Sequence, residues 1–134
     1  MNKKIVLAAI LTIIAFGVGI SISQSITVQE KYSKVFHLDA TFYADKKYVE
    51  IAFSDESQKT NNAVLEILGM EKSFQRTFDG ASFKITVPFD DEPQYGWKTM
   101  PVTVVADHAE FGKIGIKTDI HAEGKESGII FTEL

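Results

Sequence analysis

"SFQRTFDGASFKITV" (Ser73–Val87) is the stretch on which the fold class turns. Its centre, Asp79–Gly80, suits a two-residue type I′ turn, which needs positive φ at both central positions. With that turn Phe78 would pair with Ala81, and Phe74 would fall opposite Ile85. Phe74, Phe78, Phe83, Ile85 and Val87 then share one face, so turn and apolar pattern agree on one register. The expectation is a β-hairpin.

The same period of two continues on both sides. Upstream, "VFHLDATFY" sets Phe36, Leu38, Ala40 and Phe42 against His37, Asp39, Thr41 and Tyr43. "YVEIAFS" sets Val49, Ile51 and Phe53 against Tyr48, Glu50 and Ser54, with "ADKK" as the turn between the two runs. "DESQKTNN" reads as a polar loop and "AVLEILG" as a short strand. Downstream, "VTVVADH" and "KIGIKTDIH" flank a turn at "AEFG", and point Val102, Val104 and Ala106 inward with Ile114, Ile116 and Ile120. "IIFTEL" adds a last strand along a sheet edge.

Seven or eight short strands with no amphipathic helix between them specify an all-β antiparallel β-sandwich over 35–134. By analogy of architecture it is immunoglobulin-like or fibronectin-III-like, although the cysteine pair and strand-C Trp of antibody domains are absent. A small open barrel is the alternative, because Gly115 could bend its strand.

Ahead of the domain, Ile5 to Ile22 gives eighteen uncharged residues, with Thr12 and Ser21 the polar ones and Lys3 and Lys4 in front. Eighteen helical residues reach about 27 Å, near the thickness of a bilayer core. The basic flank favours a cytoplasmic N-terminus. Residues 1–23 are therefore expected to be a retained transmembrane anchor spanning 5–22, with the C-terminal domain outside the cytoplasm. The alternative is a signal peptide cleaved near Ser23, which would leave a secreted protein. Residues 24–34 read as a polar stalk.

From Gln24 on, twelve basic residues stand against eighteen acidic ones, a formal charge of −6. Such a surface repels phosphate backbones, so no nucleic-acid partner is expected. With no cysteine in the chain, disulfides, thiolate zinc sites and cysteine nucleophiles are excluded. Stability must come from the core, and nine of the ten phenylalanines lie in the exported part.

Three groups of residues could carry function. His37 and Asp39 in "HLD", with Asp119 and His121 in "DIH", are mirrored same-face pairs. Were their strands neighbours, these four could converge on zinc or copper. Their ordinary reading is polar residues on wet faces. Asp90, Asp91 and Glu92 could offer oxygen ligands to calcium, but their spacing fits no calcium loop, and a solvated turn explains them as well. Tyr95, Trp97 and Met100 could form an aromatic contact site for a partner, or fold over the open end of the core.

No nucleophile elbow, zinc helix or phosphate loop is present, and His108 beside Asp107 reads as a polar hairpin residue. No enzyme and no cofactor is expected. The sequence points to a membrane-anchored module that binds a protein or glycan near the cell surface, or serves as an accessory subunit. The alternatives are a soluble exported metal or ligand carrier and a structural surface-layer component.

Overall fold

The structure is a computed structural model described over residues 28–134. The expected anchor or signal at 1–23, with its membrane span at 5–22, lies outside these residues. Among the described residues, no helix is long and apolar enough to cross a membrane.

After helical residues 28–33 come nine strands: β1 (Phe36–Tyr43), β2 (Tyr48–Asp55), β3 (Thr60–Ile67), β4 (Phe74–Asp79), β5 (Ser82–Pro88), β6 (Val102–His108), β7 (Gly112–Thr118), β8 (His121–Ala122) and β9 (Ile129–Glu133). They form two sheets of order β5-β2-β1-β8 and β4-β3-β6-β7-β9. All pairs are antiparallel except the two-residue β1–β8 pair. Strict alternation builds the layers: in β2 and β6 every second residue is buried, so Ile51, Phe53, Val102 and Val104 meet in one core. Two separate open sheets around a shared core form an all-β arrangement consistent with a sandwich. They leave no place for the barrel alternative.

The expected hairpin at Asp79–Gly80 does not form. β4 pairs with β3 and β5 pairs with β2, so the chain crosses between sheets at this turn. Phe78 lies opposite Ala63 and Ile85 opposite Ile51, rather than opposite Ala81 and Phe74. The N–H of Gly80, whose φ is +95°, donates to the Asn61 carbonyl, and the Ala81 carbonyl accepts from Asp55. Yet the phenylalanines still meet. Phe36, Phe53, Phe83 and Phe78 stack in series from β1 through β2 and β5 to β4, with ring centroids 6.1, 5.5 and 4.1 Å apart. Each aromatic contact adds about 0.5–1.5 kcal/mol beyond its buried area. The apolar pattern that suggested a hairpin instead joins the two sheets along their open side.

The alternating strand directions sort the loops into two ends. The entry end holds residues 28–35, the 56–59 and 109–111 turns, the crossover and the C-terminal Leu134. The far end holds the turn at 44–47, the loop at 68–73 and the long loop at 89–101.

From residue 28 onward, the segment expected as a stalk packs on the domain. The Gln29 side chain donates to the Phe131 carbonyl and accepts from the Phe131 N–H, both at 2.8 Å. One amide thus stands in for a neighbouring strand on the free edge of β9. Tyr32 is buried among Phe36, Phe111 and Phe131, and its hydroxyl donates to Glu133. Burial, followed by the Glu133 contact, pushes the Tyr32 phenol up to about 12.

Candidate functional site

The mirrored histidine–aspartate pairs come together by half. β8 pairs with β1 so that His121 lies beside Thr41. This brings His121 Nε2 to 2.6 Å from Asp39 Oδ1, while Asp39 Oδ2 accepts from the Thr41 hydroxyl at 2.6 Å. The other ring nitrogen, Nδ1, lies 2.9 Å from the Ala122 carbonyl. A carboxylate and a carbonyl only accept, so both ring nitrogens are best served as N–H donors, which is the imidazolium form. Burial of the ring works against that charge. The hydrogen bonds to Asp39 and Ala122, with the nearby charges of Asp39 and Glu126, outweigh it and raise His121 above its ordinary value.

His37 and Asp119 go elsewhere. The imidazole of His37 sits 3.6 Å from Glu56, with both side chains more than half exposed. The N–H of Asp119 donates to Ser127 Oγ. Among the described residues, no three His, Asp or Glu side chains gather closely enough to hold a metal ion. That holds for Asp90, Asp91 and Glu92 too, which are all exposed; Asp91 is turned back to accept the Glu92 N–H.

At the far end the long loop is pinned by its aromatic centre. A 3-10 turn over Trp97–Thr99 sets the indole 5.1 Å from the Phe42 ring and 5.7 Å from Phe89. Trp97 and Met100 are half-buried against the core, as a plug requires. Gly69, with φ +81°, lets the neighbouring loop come up against the Thr99 carbonyl, where a Cβ would stand 2.1 Å from the oxygen. Tyr95 has no such role. It is 81% exposed at the loop tip, on the same end as Leu68, another exposed large apolar side chain. The three residues expected as a contact site therefore divide into two that hold the loop and one that it presents.

The entry end holds a buried polar cluster around Asp55, and its other centre is His108, expected as a polar hairpin residue. Asp55 and His108 have fully buried side chains, 3.5 Å apart. Asp55 accepts four hydrogen bonds, from the Ser57 N–H and hydroxyl, the Lys59 N–H and the Thr60 hydroxyl, at 2.6–3.0 Å. Burial alone would raise its carboxyl; these bonds together outweigh that and hold Asp55 below the ordinary carboxylate value. His108 Nδ1 accepts the N–H groups of Glu110 and Phe111 and so closes the β6–β7 turn. Parity along the strands was the signal. Asp55 continues the inward series Val49, Ile51, Phe53, and His108 continues Val102, Val104, Ala106.

Ser57, His108 and Asp55 are the three residue types of a hydrolase triad, but their bonds run otherwise. In a triad the carboxylate takes the Nδ1 proton and Nε2 faces the serine as a base. Here Nδ1 is occupied as an acceptor, so the neutral ring carries its proton on Nε2, which lies 2.9 Å from Ser57 Oγ. The serine hydroxyl in turn donates to Asp55. No lone pair is left to withdraw the serine proton. The arrangement suits holding two turns together.

Comparison with known proteins brings no match: no family model, no curated protein and no solved structure corresponds to this chain.

Proposed function

We propose that the chain is a single-pass, membrane-anchored extracytoplasmic module that acts without catalysis, binding a protein or glycan at the cell surface or serving as an accessory subunit. We also read its architecture as immunoglobulin-like or fibronectin-III-like. Strands β1, β2 and β5 group as A, B and E do in such domains, and β3, β6 and β7 group as C, F and G do, with β4 beside β3 in the manner of a C′ strand.

The observation that carries the binding reading is the placement of Tyr95. It projects from a loop whose Trp97 packs on Phe42 and Phe89, at the end of the domain opposite the one where the chain enters. An exposed aromatic brings large contact area with few rotors to order, which is what binding sites favour. A carrier built on the mirrored pairs would have Asp39 and His121 alone in contact, so binding is preferred to carriage.

The test places a photo-crosslinking residue at Tyr95 in the full chain in its native cell, with an equivalent probe at Asp79 on the entry end. A discrete adduct from position 95 and none from 79 supports recognition at the far end. Identical patterns from both, or none from either, would remove it. The intact mass of the protein from membrane and soluble fractions tests the anchor separately: a species beginning near Gln24 in the soluble fraction would turn the segment into a discarded signal.

A further inference from the structure

The outward face of the five-stranded sheet carries an apolar patch with charges of both signs around it. Cross-strand register places Val64, Val105, Gly115 and Thr132 in one outward row across β3, β6, β7 and β9. Ile130 and Leu134, 58% and 68% exposed, stand at the β9 side. Between β6 and β9 lies a shallow groove of about 280 Å³ whose lining includes Val105, Gly115, Ile130 and Leu134, with the Leu134 side chain leaning to 3.5 Å from where a Cβ of Gly115 would stand. In the adjoining row, Asp107 of β6 lies directly opposite Lys113 of β7.

We propose that this face is a self-association surface, on which Val105 of each copy seats in the groove over Gly115 of the other. The occupant follows from self-complementarity. A two-fold axis running along the strands between β6 and β7 exchanges those strands, so each copy's β6 faces the other's β7. That operation lays Val105 over Gly115 and the Leu134 side chain beside it twice, apolar on apolar, and Asp107 over Lys113 twice, an acid over a base. An axis across the strands would instead oppose Lys117 to Lys113, which repel. The face measures roughly 20 Å by 20 Å from strand spacing and rise. This falls short of the ~800 Å² a side of a typical stable complex, so the dimer is weak and favoured by high local concentration.

The test uses the full chain in detergent at high concentration, and the absence of native cysteine makes it clean. A cysteine at Val105 is joined with a short bismaleimide, with a control cysteine at Ser54 on the opposite sheet. Cross-linked dimer from position 105 and not 54 is expected. Asp107→Lys and Lys113→Asp should each lower the dimer yield several-fold, and the double swap should restore it. Trp97 emission verifies that each variant is folded. Equal cross-linking at 105 and 54, or no rescue in the double swap, overturns the proposal. So does quenching of a probe at position 105 by brominated lipid without cross-linking, which would assign the face to the bilayer.

Discussion

Replacing Asp55 by alanine should unfold the domain at far lower denaturant than the wild type. The side chain is fully buried and takes four hydrogen bonds. Two of those donors, the N–H groups of Ser57 and Lys59, belong to an exposed turn and can bond water instead. The Thr60 hydroxyl is buried and cannot, and the His108 ring beside it loses its acidic neighbour. Charge-assisted bonds contribute about 1.5–3 kcal/mol each without adding simply. With the buried Thr60 hydroxyl left unsatisfied as well, the total cost is about 3–5 kcal/mol. With a urea m-value of about 1.5 kcal/mol/M, the midpoint should fall by about 2–3 M. Asn at the same position keeps one acceptor oxygen but turns an amide toward the Lys59 N–H, so its loss should be intermediate. The assay is urea unfolding of the full chain in detergent, read by the single Trp, which sits at the opposite end of the core and so reports the whole domain. The acid limb offers a second reading: because Asp55 is held low, its stabilisation is present above about pH 4 and disappears as the pH drops through its folded value. A midpoint shift below about 0.5 M in the alanine variant would refute the view that this carboxylate organises the entry end.

Three further outcomes follow from other contacts. His121 is raised in the folded state, so its contribution is full below about pH 6.5 and is lost as pH climbs through the folded value. Because Asp39 is 59% exposed, the loss should stay within about 1 kcal/mol, and Asp39→Asn should flatten the stability profile over that window. Gln29→Ala removes both bonds to Phe131 and should speed amide exchange at Phe131 roughly tenfold by hydrogen-exchange NMR, with little change in strands remote from β9. Gly69→Ala must fit a Cβ against the Thr99 carbonyl at φ +81°; a loss of about 2 kcal/mol or more is expected, with red-shifted Trp97 emission as its loop is displaced.

Alternation made β1, β2, β6 and β7 legible, because each carries its own inward series and needs no knowledge of its neighbours. The crossover was not legible for the same reason. Asp79–Gly80 supplies a turn, but a turn says nothing about which strands the two arms will pair with. Phe78 and Phe83 face inward equally well across a hairpin or across a gap between sheets. The mirrored pairs failed in a related way. Strand periodicity put His37 and Asp39 on one face, but β8 reaches only as far as Thr41 and Phe42, so His121 meets Asp39 and leaves His37 to Glu56. Asp55 and His108 were legible in principle. Their polar identity outweighed their inward parity, although a buried carboxylate is stable wherever local N–H and hydroxyl donors are dense enough, as at "DESQKT".

The two ends of the domain are closed by opposite kinds of chemistry, and the difference bears on where recognition can occur. At the entry end the buried carboxylate and imidazole spend their bonding capacity on the turns themselves: Asp55 on 57–60, His108 on 110 and 111. A ligand approaching there would have to break those bonds to gain its own, and the exchange would bring little net free energy. The far end is closed by Phe42, Phe89 and Trp97, whose packing asks nothing of the loop tip. Tyr95 is thereby left with an exposed ring on a supported backbone. A contact made there displaces only water, and it loosens nothing that holds the core.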